Sequence, residues 1–254
     1  MMKRRAADFG MGLILPLLLI ALWWVTSTAA DSFYFPPLPH VLDVFADLWV
    51  FDLVPVHVFP SLAAIGLGLG ISIVLGVALG VLLGLSRFVS DMVSPVLQFL
   101  RYLPAVALLP LAIQLIGIGL EMRVLIIVLG AIWPILLNTM DGVRGIHPAV
   151  GDVARSTRLD GPTWIFRIVL PAASPQIFTG IRASLAVAVV LMVASELLGS
   201  SRGMGYFILE SQRQFSIPEM WSGMILLGII GYLLNVIFGR VEHHVLAWHR
   251  LSRS

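Results

Sequence analysis

The chain has 254 residues, of which 59% are hydrophobic and 12% are charged, and its mean hydropathy is +0.98. Soluble domains carry roughly a quarter charged residues, so this composition indicates an integral membrane protein. The chain has no cysteine and one lysine, Lys3 in the N-terminal tail, which excludes disulfides, thiolate metal sites and a P-loop ATP site. At about twenty residues for each spanning helix, the length suits roughly five to seven spans in one membrane domain over residues 1–254.

The first apolar run, at about residues 10–26, is interpreted as an uncleaved membrane helix. A cleaved signal peptide is the alternative, because Ser27-Thr28-Ala29 resembles a cleavage site, although the run is long for an apolar region of roughly 7–15 residues. The more polar interval 31–55 has apolar residues at helical spacing, with Asp43 and Asp47 on another face. This pattern predicts a short interfacial helix.

The second predicted span, residues 58–85, carries glycines at positions 76, 80 and 84 on one helix face. Small residues at this spacing allow close helix–helix packing in lipid, either within one subunit or at a moving subunit interface. A third span, residues 93–118, contains prolines, which kink a helix and free its carbonyl groups. The remaining predicted spans are residues 123–140, 177–198 and 221–238.

The polar, arginine-rich segment 141–173 lies between the fourth and fifth spans. Membrane proteins seldom keep so long and charged a connection without a use for it. Its first part has helical composition, and Gly161-Pro162 predicts a break, because proline disfavours the helical conformation of the preceding residue. Apolar residues at helical spacing follow up to Pro171. The pattern therefore predicts a short helix, a sharp corner, and a second short helix that ends at Pro171.

The placement of basic residues indicates the orientation of the chain in the membrane. With six spans, eleven of the sixteen lysines and arginines fall on one side and only Arg123, Arg202 and Arg213 on the other. This asymmetry predicts that both termini and the polar segment are cytoplasmic. Because the arginines lie between apolar spans, the pI near 9.4 reflects membrane topology and not nucleic-acid binding.

Two charged residues inside or beside the spans are candidates for function. Glu196 lies in the fifth span, and a carboxylate at membrane depth usually faces protein or water and marks a pathway; a position at the helix end is the alternative. Arg101 either extends to the headgroups, pairs with Glu196, or meets an anionic substrate. The histidines at 243, 244 and 249 are not predicted to bind a metal, because Glu242 is the one carboxylate beside them.

The polar segment resembles the EAA signature of the membrane subunits of bacterial ATP-binding-cassette importers. The spacing of that signature is matched by Asp152-Val153-Ala154, Arg158 and Ile168-Val169-Leu170-Pro171. Two residues differ, because Asp152 replaces its glutamate and Arg158 replaces its glycine. The resemblance implies docking on a cytoplasmic ATPase by Asp152, Ala154, Arg155, Arg158, Leu159, Asp160, Gly161 and Pro171. Gly161 is expected to supply the backbone freedom of the missing glycine.

The resemblance extends to residues 101–119 and 177–206, which are similar to the taurine, nitrate and alkanesulfonate permeases. It implies an all-α membrane fold of the type I importer kind, with six transmembrane helices and a cytoplasmic coupling helix within 141–173. It also implies a translocation path or gate at Arg101, Pro104, Glu196, Gly203, Gly205 and Tyr206.

The implied partners are ATPase subunits that bind ATP and magnesium, a second identical or similar permease copy, and an extracytoplasmic binding protein. This chain would itself hold no cofactor, metal or nucleic acid, would perform no catalysis, and would lie in the bacterial inner membrane. The expected substrate is a small anion, with sulfonates ahead of nitrate. An intramembrane enzyme and an ion-driven transporter are the alternatives.

Overall fold

The computed structural model describes residues 2–30, 32–50, 53–156 and 161–247. The described residues are helical apart from turns and one isolated bridge between Ser32 and Phe35. The helices are α1 Met2–Ala30, α2 Leu38–Trp49, α3 Val54–Leu85, α4 Arg87–Tyr102, α5 Leu109–Ile116, α6 Leu120–Arg144, α7 Pro148–Ser156, α8 Pro162–Gly199, α9 Met204–Arg213 and α10 Ile217–Val245.

The helices α3, α6, α8 and α10 are long and apolar enough to cross a membrane. Helix α4 and the segment Ala105–Ile116 also qualify when taken together, but they are bent by 79° at the break between them. Helix α1 adds a shorter apolar stretch, Ile14–Thr28. Within the described residues, the chain thus has four unbroken candidate spans, one broken span and this shorter stretch.

The kink expected in the third span is a complete break. Helix α4 ends at Tyr102, and Leu103 has the extended backbone (φ −71°, ψ 118°) that is favoured before a proline. Pro104 then leads into a short 3-10 turn, Ala105–Leu108, before α5 begins. The chain has returned by α6 to the end of the bundle at which α3 began, and α3 and α6 therefore run parallel.

The core is formed by α3, α6 and α8, with α8 antiparallel to the other two. Its largest buried cluster includes Ile65 of α3, Ile126 and Ile127 of α6, and Leu191 and Met192 of α8. The end of the bundle at which α6 stops and α8 starts is called the α7 end. The opposite end, at which α8 stops and α9 follows, is called the α9 end. Helix α2 packs at the α9 end, and its Asp43 and Asp47 are exposed as predicted, while Trp49 donates a hydrogen bond to the hydroxyl of Ser222.

The glycine face of α3 packs against α6 within the subunit. A Cβ atom on Gly76, Gly80 or Gly84 would lie 2.6–2.9 Å from Ile135, Thr139 or Val143, respectively. Contacts this short leave no room for any side chain larger than hydrogen. The spacing of four therefore serves helix packing inside one chain, which was the first of the two interpretations.

We expect Gly80→Ala to lower the free energy of unfolding by about 1–3 kcal/mol, because overpacking of a tight core costs this much. The added methyl group would lie 2.7 Å from the carbonyl oxygen of Leu136, which cannot rotate away. Gly70→Ala is the control on the same helix, since its Cβ would have no atom within 4 Å. Thermal unfolding of both variants in detergent measures the difference, and equal midpoints would contradict the close-packing interpretation.

The described part of the polar segment has a first helix and a turn at Gly161, which we call the corner, but its second part differs from the prediction. Helix α7 is followed by Gly161, whose backbone (φ 57°, ψ −132°) is in a region open to glycine. Pro171 does not end a short helix, because α8 continues through it to Gly199. A π-helical turn at Ile165–Val169 precedes Pro171, which then lies in the first turn of regular α-helix, where a missing N–H is tolerated.

Helix α10, Ile217–Val245, is longer at both ends than the predicted sixth span, residues 221–238. The first part of the predicted tail, as far as Val245, is therefore helical. Near the α7 end, the guanidinium of Arg182 on α8 donates to Glu242 on α10 at 2.6 Å. Half of the Arg182 side chain is exposed. This pair joins α8 and α10 at the surface of the bundle.

Candidate functional site

A buried carboxylate forms the centre of a polar cluster at the α9 end. Glu196 of α8 is fully buried. Its Oε1 accepts a hydrogen bond from the guanidinium of Arg123 at 3.0 Å, and its Oε2 accepts one from the backbone N–H of Gly205 at 3.0 Å. The hydroxyl of Ser61 lies 2.8 and 2.9 Å from the two oxygens. We call Glu196, Arg123, Ser61 and the N–H groups of Met204 and Gly205 the carboxylate cluster.

The carboxylate cluster joins four helices. Ser61 comes from α3, Arg123 from α6, Glu196 from α8, and Gly205 from the first turn of α9. Ser61 also accepts a hydrogen bond from the N–H of Met204 at 2.9 Å. Each oxygen of the carboxylate is thus paired, and Arg123, which is 7% exposed, supplies a compensating charge. Such pairing is what a charged group buried in a membrane protein requires.

The backbone that leads into α9 lies directly against Glu196. Gly203 has φ +115°, and a Cβ atom there would lie within 2.4 Å of the carboxylate atoms of Glu196. Its carbonyl oxygen lies 3.2 Å from Nδ1 of His57, and the ring of His57 stacks on that of Tyr206 with centroids 6.3 Å apart. The carboxylate cluster therefore fixes the position of α9, and only glycine fits where α9 begins.

The structure brings together four of the six predicted path or gate residues, namely Glu196, Gly203, Gly205 and Tyr206. The remaining two, Arg101 and Pro104, lie at the break after α4. Glu196 pairs with Arg123, and not with Arg101 as one of the sequence alternatives had it. Arg101 instead lines a cavity between α4 and α6.

Sequence reasoning missed Arg123, Ser61 and His57 as members of the site. One signal pointed to Arg123: a carboxylate in the fifth span needs a counter-charge, and Arg123 is a basic residue at the start of the fourth span. Ser61 and His57 carried no such signal, because a serine or histidine near the start of a span is ordinary on its own. Their role follows from the packing of α3 beside α6.

The predicted ATPase-coupling residues lie at the α7 end. Asp152, Ala154 and Arg155 belong to α7, and Ala154 is 5% exposed. Gly161 forms the corner before α8. Arg158, Leu159 and Asp160 lie outside the described residues. Among the described residues there is no group of three or more His, Asp or Glu side chains placed to hold a metal ion.

An all-helical bundle with long apolar helices and a broken span defines a membrane-spanning helical protein. The family model of the binding-protein-dependent transport system inner membrane component matches residues 72–247. The chain belongs to this family. Its relatives are permease subunits of ATP-binding-cassette importers, so it is a transport subunit and not an enzyme.

Comparison with similar proteins indicates the branch of the family to which the chain belongs. The chain is 32% identical to the aliphatic sulfonates transport permease protein SsuC of Bacillus subtilis (strain 168) over 239 residues, which are 93% of this chain and 87% of the relative. It is 31% identical to the nitrate import permease protein NrtB of Synechocystis sp. over 187 residues, which are 74% of this chain and 68% of the relative. The chain is thus a permease of the sulfonate and nitrate type.

The fold also matches a solved structure. The MetNI methionine ABC transporter, in a crystal form with inward-facing conformations, has a chain that superimposes with a TM-score of 0.64 at 22% identity. The match covers 74% of this chain and 94% of the other. At this identity the likeness supports the type I importer fold.

Proposed function

We propose that this chain forms half of the translocation path of an importer for a small anion and couples it to a separate ATPase through α7. The observation that carries the proposal is that α8 connects the two candidate sites. It begins beside the Gly161 corner and carries Glu196 at its other end, over 38 residues. A helix of this length extends over about 55 Å at 1.5 Å for each residue, so that in this proposal a displacement at one end is transmitted to the other.

In this proposal, the ATPase binds a surface on the segment that contains α7 and Gly161, and the sequence resemblance assigns the contacts to Asp152, Arg155, Arg158, Leu159 and Asp160. This surface and both termini are cytoplasmic, as the arginine distribution predicts. Movement of α8 then changes the packing of the carboxylate cluster at the extracytoplasmic end. An extracytoplasmic binding protein delivers the anion there, and a second permease copy, identical or similar, completes the path.

The substrate class is inferred from the relatives. The two similar permeases are named for aliphatic sulfonates and for nitrate, both of which are small anions. We propose a sulfonate as the first substrate to test and nitrate as the second. The broken third span supports a path here, because the carbonyl groups freed at such a break must face protein or a water-filled cavity.

The first experiment is purification of the tagged chain from its native membrane in mild detergent, with identification of the proteins that co-purify. We expect a P-loop ATPase, and we expect the complex reconstituted in liposomes with its binding protein to import a sulfonate or nitrate when ATP is supplied. An intact membrane complex without an ATPase would overturn the coupling proposal. A complex that hydrolyses ATP but imports neither anion would overturn the substrate class alone.

Two glycine variants test the coupling surface in the same complex. Gly161→Ala places a side chain at φ +57°, a conformation that costs about 1–3 kcal/mol for other residues, so we expect the corner to change shape and transport for each ATP hydrolysed to fall. Gly151→Ala is the control, because it lies within helix α7 and its Cβ would also have nothing within 4 Å. Equal transport-to-hydrolysis ratios in the two variants would contradict a role for the corner.

A further inference from the structure

A cavity of about 250 Å³ lies between α4 and α6. Its lining includes Ser94, Gln98, Arg101 and Tyr102 from α4, with Trp133 and Met140 from α6. It is separate from the carboxylate cluster, since Trp133 is ten residues further along α6 than Arg123, or about 15 Å at the rise of an α-helix. The cavity therefore offers a second polar site within the same bundle.

Helix α4 turns a polar face towards the cavity. Ser90, Ser94, Gln98 and Arg101 recur at helical spacing and all line it. The opposite face is apolar and exposed, and it carries Phe88, Met92, Val96 and Phe99. The amide of Gln98 donates a hydrogen bond to the hydroxyl oxygen of Ser94 at 3.0 Å, so the hydroxyl hydrogen of Ser94 is not used in that bond.

The cavity carries positive charge without a compensating carboxylate. Arg101 is its one charged lining residue, and all the lining residues belong to the described part of the chain. Arg101 makes no ion pair within the described residues, and its guanidinium lies 5.4 Å from the ring centroid of its neighbour Tyr102. By contrast, Arg123 and Arg182 each have a glutamate partner.

The cavity lies beside the middle of the membrane-spanning helix α6. Trp133 lies about midway along α6, roughly 20 Å from Leu120 and 17 Å from Arg144 at 1.5 Å for each residue. Arg101 lines this cavity and its side chain is exposed, so its guanidinium is accessible to a ligand. An unpaired cation at such a depth typically marks a substrate or ion pathway.

We propose that this cavity is a binding site for the transported anion during its passage. The ligand is a small oxoanion, whose oxygens would accept hydrogen bonds from Arg101 and Ser94, while a short apolar tail would lie against Trp133 and Met140. The proposal rests on the proposed anion-import function and adds a location to it. It also separates the site that contacts the anion from the carboxylate cluster, which holds α9.

The absence of native cysteine allows a direct test. A Gln98→Cys variant places one thiol a helical turn from Arg101, and Ala172→Cys places a control thiol at an exposed position of α8. Both are reacted, in the complete complex in phosphatidylcholine nanodiscs, with an anionic and a cationic methanethiosulfonate reagent. The measured quantity is the ratio of the anionic to the cationic reaction rate.

We expect the ratio of anionic to cationic reaction rates to be higher at Gln98→Cys than at Ala172→Cys. When Arg101→Gln is added, the ratio at Gln98→Cys should fall by about tenfold or more. This is the size expected when a unit charge about 10 Å away is removed at an effective dielectric constant of about 20. Arg101→Lys should keep the higher ratio. If the Arg101→Gln complex does not assemble, the proposal is tested by comparing the rate ratios of the two thiols in the otherwise wild-type chain. A complex that imports the anion but has equal ratios at the two thiols, or a ratio unchanged by Arg101→Gln, would overturn the proposal.

A protection experiment distinguishes a transported anion from a lipid headgroup as the ligand of the cavity. Millimolar propanesulfonate or nitrate should slow modification of Gln98→Cys and leave Ala172→Cys unchanged. Protection that appears only when phosphatidylglycerol is added to the nanodiscs would identify a lipid headgroup as the ligand and overturn the proposal. A wild-type complex that hydrolyses ATP but imports no anion would instead count against the proposed function.

Discussion

Arg123→Met or Glu196→Gln alone should each lower the free energy of unfolding by about 3–5 kcal/mol, because each leaves a buried polar or charged group without its partner. The double variant should recover most of this loss. The methionine side chain that replaces Arg123 is apolar and similar in length, and a glutamine in place of Glu196 still offers an oxygen to the N–H of Gly205 and the hydroxyl of Ser61. A buried pair replaced as a whole is often close to neutral in stability.

The double-mutant cycle is measured by thermal or denaturant unfolding in detergent, with the coupling energy taken as the departure from additivity. The pair Arg182 and Glu242 is the control within the same chain, because Arg182 is 53% exposed. Exposed pairs contribute about 0–1 kcal/mol, so Arg182→Gln and Glu242→Gln should show little coupling. Additive losses at Arg123 and Glu196 would mean that the two residues do not form the buried pair.

Gly203→Ala should be nearly as damaging, for a different reason. The backbone at Gly203 has φ +115°, and the new methyl group would also meet the carboxylate of Glu196. Strain of this kind costs about 1–3 kcal/mol and overpacking about 1–3 kcal/mol more. Displacement of the carboxylate would break its bonds to Arg123 and Ser61, so we expect both lower stability and loss of transport.

Gly117→Ala separates the two causes. Gly117 has φ +91°, but a Cβ atom there would have nothing within 4 Å. It should therefore show the backbone strain without the collision, and lose about 1–3 kcal/mol. The comparison is made by unfolding in detergent and by uptake in liposomes, and losses of the same size in both glycine variants would show that Glu196 is not what excludes a side chain at Gly203.

Much of the fold was predictable from local signals. The glycines of α3, the acidic face of α2, and the break at Gly161-Pro162 each follow from short-range stereochemistry, and each has the predicted place in the structure. The termination predicted at Pro171 was wrong, because a proline in the first turn of a helix is compatible with its continuation. The preceding π-helical turn was not visible in the residue pattern.

The candidate site was only half predictable, because it depends on which helices lie side by side. Glu196 and the glycines near it were recognised from sequence, since a carboxylate in an apolar helix is unusual. Its partner is Arg123 and not Arg101, because the start of α6 packs beside the end of α8. The predicted spans already place Arg123 and the end of the fifth span on the same side of the membrane, but they do not show which helices are neighbours.

The parallel packing of α3 and α6 has a consequence for how the protein can change in evolution. Gly68, Gly76, Gly80 and Gly84 each meet the residue fifty-nine positions later in the chain. One residue inserted within α6 would rotate all of its following side chains by about 100° and move bulky groups onto the glycines. Insertions in the connection between the two helices would leave these contacts intact, so variation in length among related permeases should be concentrated there.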